Sequence, residues 1–175
     1  MTMRGLRTAV SATAVAVLGV GICAGVASAA TSVAGACQPG TLKVTATDAG
    51  GSQAGMNHAG TYLKAVNTGT SSCTFSGYAG LALEGAGHTA LPTKARHGDT
   101  YFAQDPGVHN VTLKPGHAAY ADLVWTHTGA STAHAKYLQV SPTGSNAHSV
   151  IPFAEDVDNG TLALTAWTAK APSAS

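Results

Sequence analysis

Charge is scarce in this sequence: only 10% of its 175 residues are Asp, Glu, Lys or Arg. Helical bundles usually carry many Glu and Lys residues, so the composition disfavours them. No stretch beyond the first segment sustains a 3.6-residue apolar period, which argues the same way. No basic cluster is present to meet a phosphate backbone, so nucleic acid is a poor partner, and anionic membrane surfaces are equally poor ones. Cysteine occurs only at positions 23, 37 and 73. A structural zinc site needs four nitrogen or sulfur ligands, more than Cys37 and Cys73 supply. No Gly-x-Ser-x-Gly turn exists to raise a serine nucleophile. The carboxylates Glu84, Asp99, Asp105 and Asp122 are not paired by the sequence. These absences argue against an enzyme, and no catalytic residue and no cofactor is expected.

What is present begins with a targeting segment. Arg4 and Arg7 give a positive start, Ala9 to Val26 form an uncharged apolar run, and Ala27-Ser28-Ala29 follows. This is the order of a secretory signal, cleaved after the small residues. A membrane anchor is the alternative, but the run is barely long enough to span a bilayer. A lipoprotein signal needs a small residue before its cysteine, and Cys23 follows the bulky Ile22. Cleavage after Ala29 removes two of nine basic residues and leaves seven against eight acidic ones, a formal charge of −1. The remaining chain suits one domain with a real core. It is expected in an oxidising compartment, secreted or at the cell envelope, with no membrane insertion after the signal is removed. Cys37 and Cys73 then allow one pairing, the alternative being two buried free thiols.

Period-two alternation marks the rest of the chain. Thr41 to Thr47 places Leu42, Val44 and Ala46 on one face, and His117 to Thr126 places Ala119, Ala121, Leu123 and Trp125 together. Such alternation is that of a half-buried strand. Further strands are expected at 61–67, 73–75, 80–84, 108–113, 136–140, 150–154 and 161–168. In the last, Leu162, Leu164 and Ala166 are expected to oppose Ala163, Thr165 and Trp167. Lys114-Pro115-Gly116 is a turn, since proline presets one backbone angle and glycine supplies the next. Residues 48–60, with four glycines, read as a flexible connection, and 88–107 as irregular. The expectation is all-β: a sandwich of about seven to nine strands, preceded by a signal-peptide helix. Its parts are a signal peptide at 1–29, a flexible segment at 30–36, the β-sandwich at 37–169 and a disordered tail at 170–175.

Eight histidines are the one unusual count: 58, 88, 97, 109, 117, 127, 134 and 148. Neutral imidazole is a good transition-metal ligand, but no i, i+2 or i, i+4 pair occurs. His127 and His134 flank one loop and are the pair best placed to meet across its mouth. The other reading is scattered surface imidazoles, and no metal site is expected. Glu155-Asp156-Val157-Asp158-Asn159-Gly160 alternates oxygens as a calcium loop does, but the glycine comes one place early and no Glu follows at the required distance. An acidic hairpin turn around Asn159-Gly160 reads better. Tyr101-Phe102 lies in the irregular segment, either packed in the core or exposed as an anchor for a partner. The candidate binding residues are therefore Tyr101, Phe102, His127 and His134.

The order of features resembles a known family. A cysteine precedes a strand, Asn67-Thr68-Gly69 ends another, and Cys73-Thr74-Phe75-Ser76-Gly77-Tyr78 follows. Val111-Thr112-Leu113-Lys114-Pro115-Gly116 then leads into Ala119 to Trp125, and Leu138-Gln139-Val140-Ser141-Pro142 comes next. From Cys37 to Trp167 the chain is similar to domain-of-unknown-function family 4232, found in secreted and lipid-anchored proteins of actinobacteria. The resemblance implies an immunoglobulin-like antiparallel β-sandwich, a Cys37–Cys73 bridge and an envelope location, and no activity. Members often carry a second cysteine pair, near 133–137 and near the last strands. This chain lacks it, so its C-terminal strands must rely on packing. The expected function is a non-catalytic binding or structural module with an unknown extracellular or envelope partner. The alternative is a histidine-based extracellular metal-binding protein.

Overall fold

The computed structural model describes residues 34–49, 51–142 and 145–172. The expected signal peptide 1–29, with Cys23 and Ala27-Ser28-Ala29, lies outside the described residues. So do residues 30–33 of the expected flexible segment and 173–175 of the expected tail. Among the described residues no helix is long and apolar enough to cross a membrane.

The described chain is all-β. Its first seven strands are β1 (Gly35–Ala36), β2 (Leu42–Thr47), β3 (Gln53–Gly55), β4 (His58–Asn67), β5 (Cys73–Phe75), β6 (Gly80–Glu84) and β7 (Lys94–His97). The second seven are β8 (Val111–Leu113), β9 (Ala118–Thr126), β10 (Thr132–His134), β11 (Tyr137–Ser141), β12 (Ser149–Pro152), β13 (Asp156–Asp158) and β14 (Thr161–Leu164). The largest sheet runs β2-β4-β9-β14-β7, with β3 folded back on β4. Two smaller sheets, β12-β11-β6 and β1-β5-β8, and the β10-β13 ladder complete the set. Short strands of two to four residues raise the count to fourteen among the described residues, above the seven to nine expected. Two pairings are parallel, β1 with β5 and β7 with β14, so the sheets are mixed as well as antiparallel.

One apolar core joins the sheets, as a sandwich requires. Leu63 and Ala65 of β4, Ala119, Ala121, Leu123 and Trp125 of β9, and Leu162 and Leu164 of β14 meet Leu83, Leu138, Val140 and Ile151 of the β12-β11-β6 sheet. The β9 face is the one its alternation implies. The last strand departs from its expected alternation. It ends at Leu164, and beyond it Asp122 N donates to Thr165 Oγ1 at 2.9 Å while Thr165 N donates to Asp122 O at 3.0 Å. A side-chain hydroxyl stands in for the next ladder carbonyl, the chain bends, and Trp167, expected opposite Leu162 and Leu164, enters the core with them against Phe75, while Ala166 is fully buried as well.

Cys37 and Cys73 are disulfide-bonded, S–S 2.08 Å, which fastens the chain beside β1 to the start of β5. Asn67 organises the same end of the domain. Its Nδ2 donates to Ser71 O at 2.9 Å and Leu113 O at 3.0 Å, and its Oδ1 accepts from Gly69 N at 2.9 Å. The Lys114–His117 turn closes with His117 N to Lys114 O at 3.0 Å, and Gly116 at φ 76° supplies the left-handed position that such a turn needs. The Asn159-Gly160 turn forms, with φ of 52° and 63°, but it is no hairpin. β13 pairs with β10 and β14 pairs with β9 and β7, so the turn passes the chain from one sheet to another.

Candidate functional site

The segment read as a flexible connection folds into a β3-β4 hairpin with Met56 and Asn57 at its tip. Met56 is left-handed at φ 53° and its side chain is 92% exposed. Beside it the His58 ring stacks on Tyr101, centroids 4.0 Å apart and planes 8° apart. Tyr101 in turn meets the Phe102 ring edge-on at 5.0 Å. Both rings lie over Gly55, where a Cβ would sit in ordinary contact with them, 3.4 Å from Tyr101 and 3.5 Å from Phe102. Tyr101 remains 47% exposed, while Phe102 is half-buried. His127 reaches the same tip, its backbone N donating to Asn57 O at 3.3 Å. Of the four expected binding residues, the structure thus gathers Tyr101, Phe102 and His127 around the hairpin.

His134 is elsewhere. It lies on β10 and its exposed ring bonds Asp156 across the β10-β13 ladder at 2.5 Å. Among the described residues no three His, Cys, Asp or Glu side chains converge where they could hold a metal ion. The suspected calcium loop uses its oxygens on protein groups. Asp158 accepts from Gly129 N at 2.7 Å and Thr128 N at 3.2 Å. Burial alone pushes that carboxyl up, but hydrogen bonds from Thr126, Gly129 and Thr128, with His127 nearby, outweigh burial and hold it below the usual range.

The strap that presents Tyr101 and Phe102 is fixed by carboxylates. Thr100 Oγ1 accepts from Ala103 N at 3.0 Å and Phe102 N at 3.3 Å, and Ala103 O accepts from Thr100 N at 2.9 Å. The same hydroxyl donates to Asp122, which also accepts from the Gln53 side-chain amide. Asp122 is fully buried on the outer face of β9, and burial raises its carboxyl above the usual range despite these two bonds. Tyr62 stands opposite it in register, its phenol raised by burial and then by the Asp122 charge. Farther along, Asp99 accepts from Asp105 N at 2.7 Å. Asp105 accepts from Ala166 N at 2.7 Å and from Tyr78 OH at 2.5 Å. That phenol is raised, first because its proton is held by Asp105. Beyond the strap, Pro172 O accepts from Tyr62 OH at 2.9 Å.

Glu84 makes a separate polar cluster on β6. Its Oε2 lies 2.6 Å from His88 Nδ1, its Oε1 accepts from the Gln139 amide, and His88 stacks on Tyr137 at 4.2 Å. The hydrogen bond from His88 is the chief reason its carboxyl is held below the usual range. A depressed carboxyl stabilises the fold above its unfolded-state value and loses that contribution as pH falls through its folded-state value. Glu84→Gln is therefore expected to flatten the loss of stability between about pH 5 and pH 2. Urea unfolding across that range checks it, and parallel curves for the two proteins would count against the assignment.

Sequence reasoning missed Met56, Asn57 and His58. The available signal was an apolar Met56 beside Asn57 in a glycine-rich run, where a turn presents side chains to solvent. Residues 37–168 match the family described as Domain of unknown function (DUF4232), and the chain belongs to that family. No curated protein and no solved structure matches the chain.

Proposed function

We propose that the chain is an exported, non-catalytic binding module. It recognises a protein partner at the cell envelope or in the medium through Met56, His58, Tyr101 and Phe102. One observation carries this reading: a 92% exposed methionine stands beside a stacked, 47% exposed tyrosine on a tightly bonded frame. Large apolar side chains held out in water by a rigid turn are what a partner's apolar pocket gains most from covering. Rigidity of the hairpin matters because little backbone freedom is then lost on binding. Export is supported by the order Arg4, Arg7, apolar run, Ala27-Ser28-Ala29, and by the Cys37–Cys73 bridge, which suits an oxidising compartment. Among the described residues no cluster of side chains supports the histidine-based metal reading.

The paired change Met56→Ser with Tyr101→Ser is expected to lower stability by about 1 kcal/mol, through loss of the Tyr101 ring contacts, and to leave the fold intact. Binding of the labelled mature protein to its own cells should fall about tenfold or more, the equivalent of about 1.4 kcal/mol. Equal cell binding by the double variant and the wild type would contradict the proposal.

A further inference from the structure

We propose that Thr100 and Gln53 become joined by an intramolecular ester bond, formed at Asp122 with release of ammonia. The proposal does not depend on the binding reading, since it concerns the chain's own maturation.

The argument starts from what Asp122 touches. It is fully buried, and among the described residues no cation forms an ion pair with it. Its two oxygens have different tasks. Oδ2 accepts the hydroxyl of Thr100, and Oδ1 accepts the side-chain amide nitrogen of Gln53. One carboxylate therefore contacts an alcohol nucleophile and the nitrogen that must leave in an acyl transfer. A base that takes the first proton and returns it to the departing nitrogen has to stand there. Burial raises the proton affinity of this carboxylate and so makes it the stronger base.

The Gln53 amide is placed by a vacancy in the sheet. A Cβ at position 60 would lie 2.8 Å from Gln53 Oε1 and 3.1 Å from both Leu123 O and Phe102 Cδ2, so glycine leaves the space the amide oxygen occupies. Gln53 Oε1 is buried and has no hydrogen-bond partner. An unpartnered buried amide oxygen is a standing penalty, and an amide used only for structure would normally have both ends satisfied. An ester carbonyl is a weaker acceptor than an amide carbonyl, so the reaction relieves part of that penalty.

The step balances without a co-reactant. Asp122 accepts the Thr100 hydroxyl proton as Oγ1 attacks Cδ of Gln53. The Oγ1–Cδ bond forms and the Cδ–Nε2 bond breaks. The same proton passes from Asp122 to Nε2, which leaves as ammonia, and Asp122 returns to its starting state. Oε1 has no hydrogen-bond partner to stabilise the developing oxyanion, so the step is slow. The product ties the β3-β4 hairpin to the strap carrying Tyr101 and Phe102.

Intact mass spectrometry of the denatured, disulfide-bonded mature protein tests this, freshly made and after prolonged storage. Wild type and Thr100→Ser should be lighter than the sequence mass by one ammonia, with Gln53 and Thr100 recovered in one joined peptide that hydroxylamine separates. Thr100→Val and Asp122→Asn should show the full mass. A full-mass wild type at both times, or ammonia loss mapped elsewhere, such as a succinimide at Asn159-Gly160, overturns the proposal. So does a joined peptide that persists in Thr100→Val.

Discussion

Cys73→Ala is expected to lower the free energy of unfolding by about 4 kcal/mol, the chain-entropy value for a bridge across a sequence separation of 36. The native state offers little to offset that loss. β1 has only two residues and pairs with β5 alone, in parallel, with Gly35 opposite Cys73. Once the bridge is gone, the Cys37 N to Thr74 O bond of 3.0 Å is the next link holding this segment. Both cysteines are also buried against the core, so truncating one leaves a small void besides the unbridged thiol. Urea unfolding of the variant, and of wild type with and without reductant, should give matching losses. A loss under about 1 kcal/mol in both would mean the unfolded chain stays compact without the bridge.

Trp167→Ala is expected to cost about 4 kcal/mol, in the range of large aromatic truncations in a packed core. The ring is fully buried, it meets Phe75 at 5.9 Å, and Trp167 N donates to Gly77 O at 3.0 Å. Trp167→Phe should recover more than volume alone implies. The indole Nε1 is buried without a hydrogen-bond partner, a penalty of roughly 1–3 kcal/mol that phenylalanine does not carry. The ordering Trp, then Phe, then Ala in unfolding midpoint, with unchanged denaturant slopes, checks this. An alanine variant within about 1 kcal/mol of wild type would contradict the packing described.

The long strands were legible because their core side is written in period two. β9 buries every residue its alternation selects and β2 buries Leu42 and Val44, while Ala46 near the end of β2 is exposed; the Pro115-Gly116 turn follows from the angles those residues supply. The short strands carry no such record. Lys94 to His97 are all exposed, and β7 exists because its backbone pairs in parallel with β14, a partner set by the fold rather than by local pattern. β10 and β13 likewise define each other across sequence separations of 22 to 26. Trp167 shares the core with Leu162 and Leu164, which strict alternation opposes to it, because beyond Leu164 the Thr165 hydroxyl replaces a ladder carbonyl and shifts the period. At the candidate site the adjacent Tyr101 and Phe102 stood out by themselves. Met56 and His58 did not, because the hairpin that presents them is stabilised by rings more than 40 residues away. The histidines were legible as mostly surface groups, but the pairing of His134 with Asp156 depended on a ladder the sequence did not reveal.

The most direct measurement is position-specific photocrosslinking on intact cells, with a photoreactive residue at position 56 and, as a control, at the exposed position 150 of β12. A discrete partner adduct should form from position 56, be absent from position 150, and disappear when Tyr101→Ala is added to the position-56 protein. No adduct from position 56, or the same adduct from both positions, would contradict recognition through the hairpin.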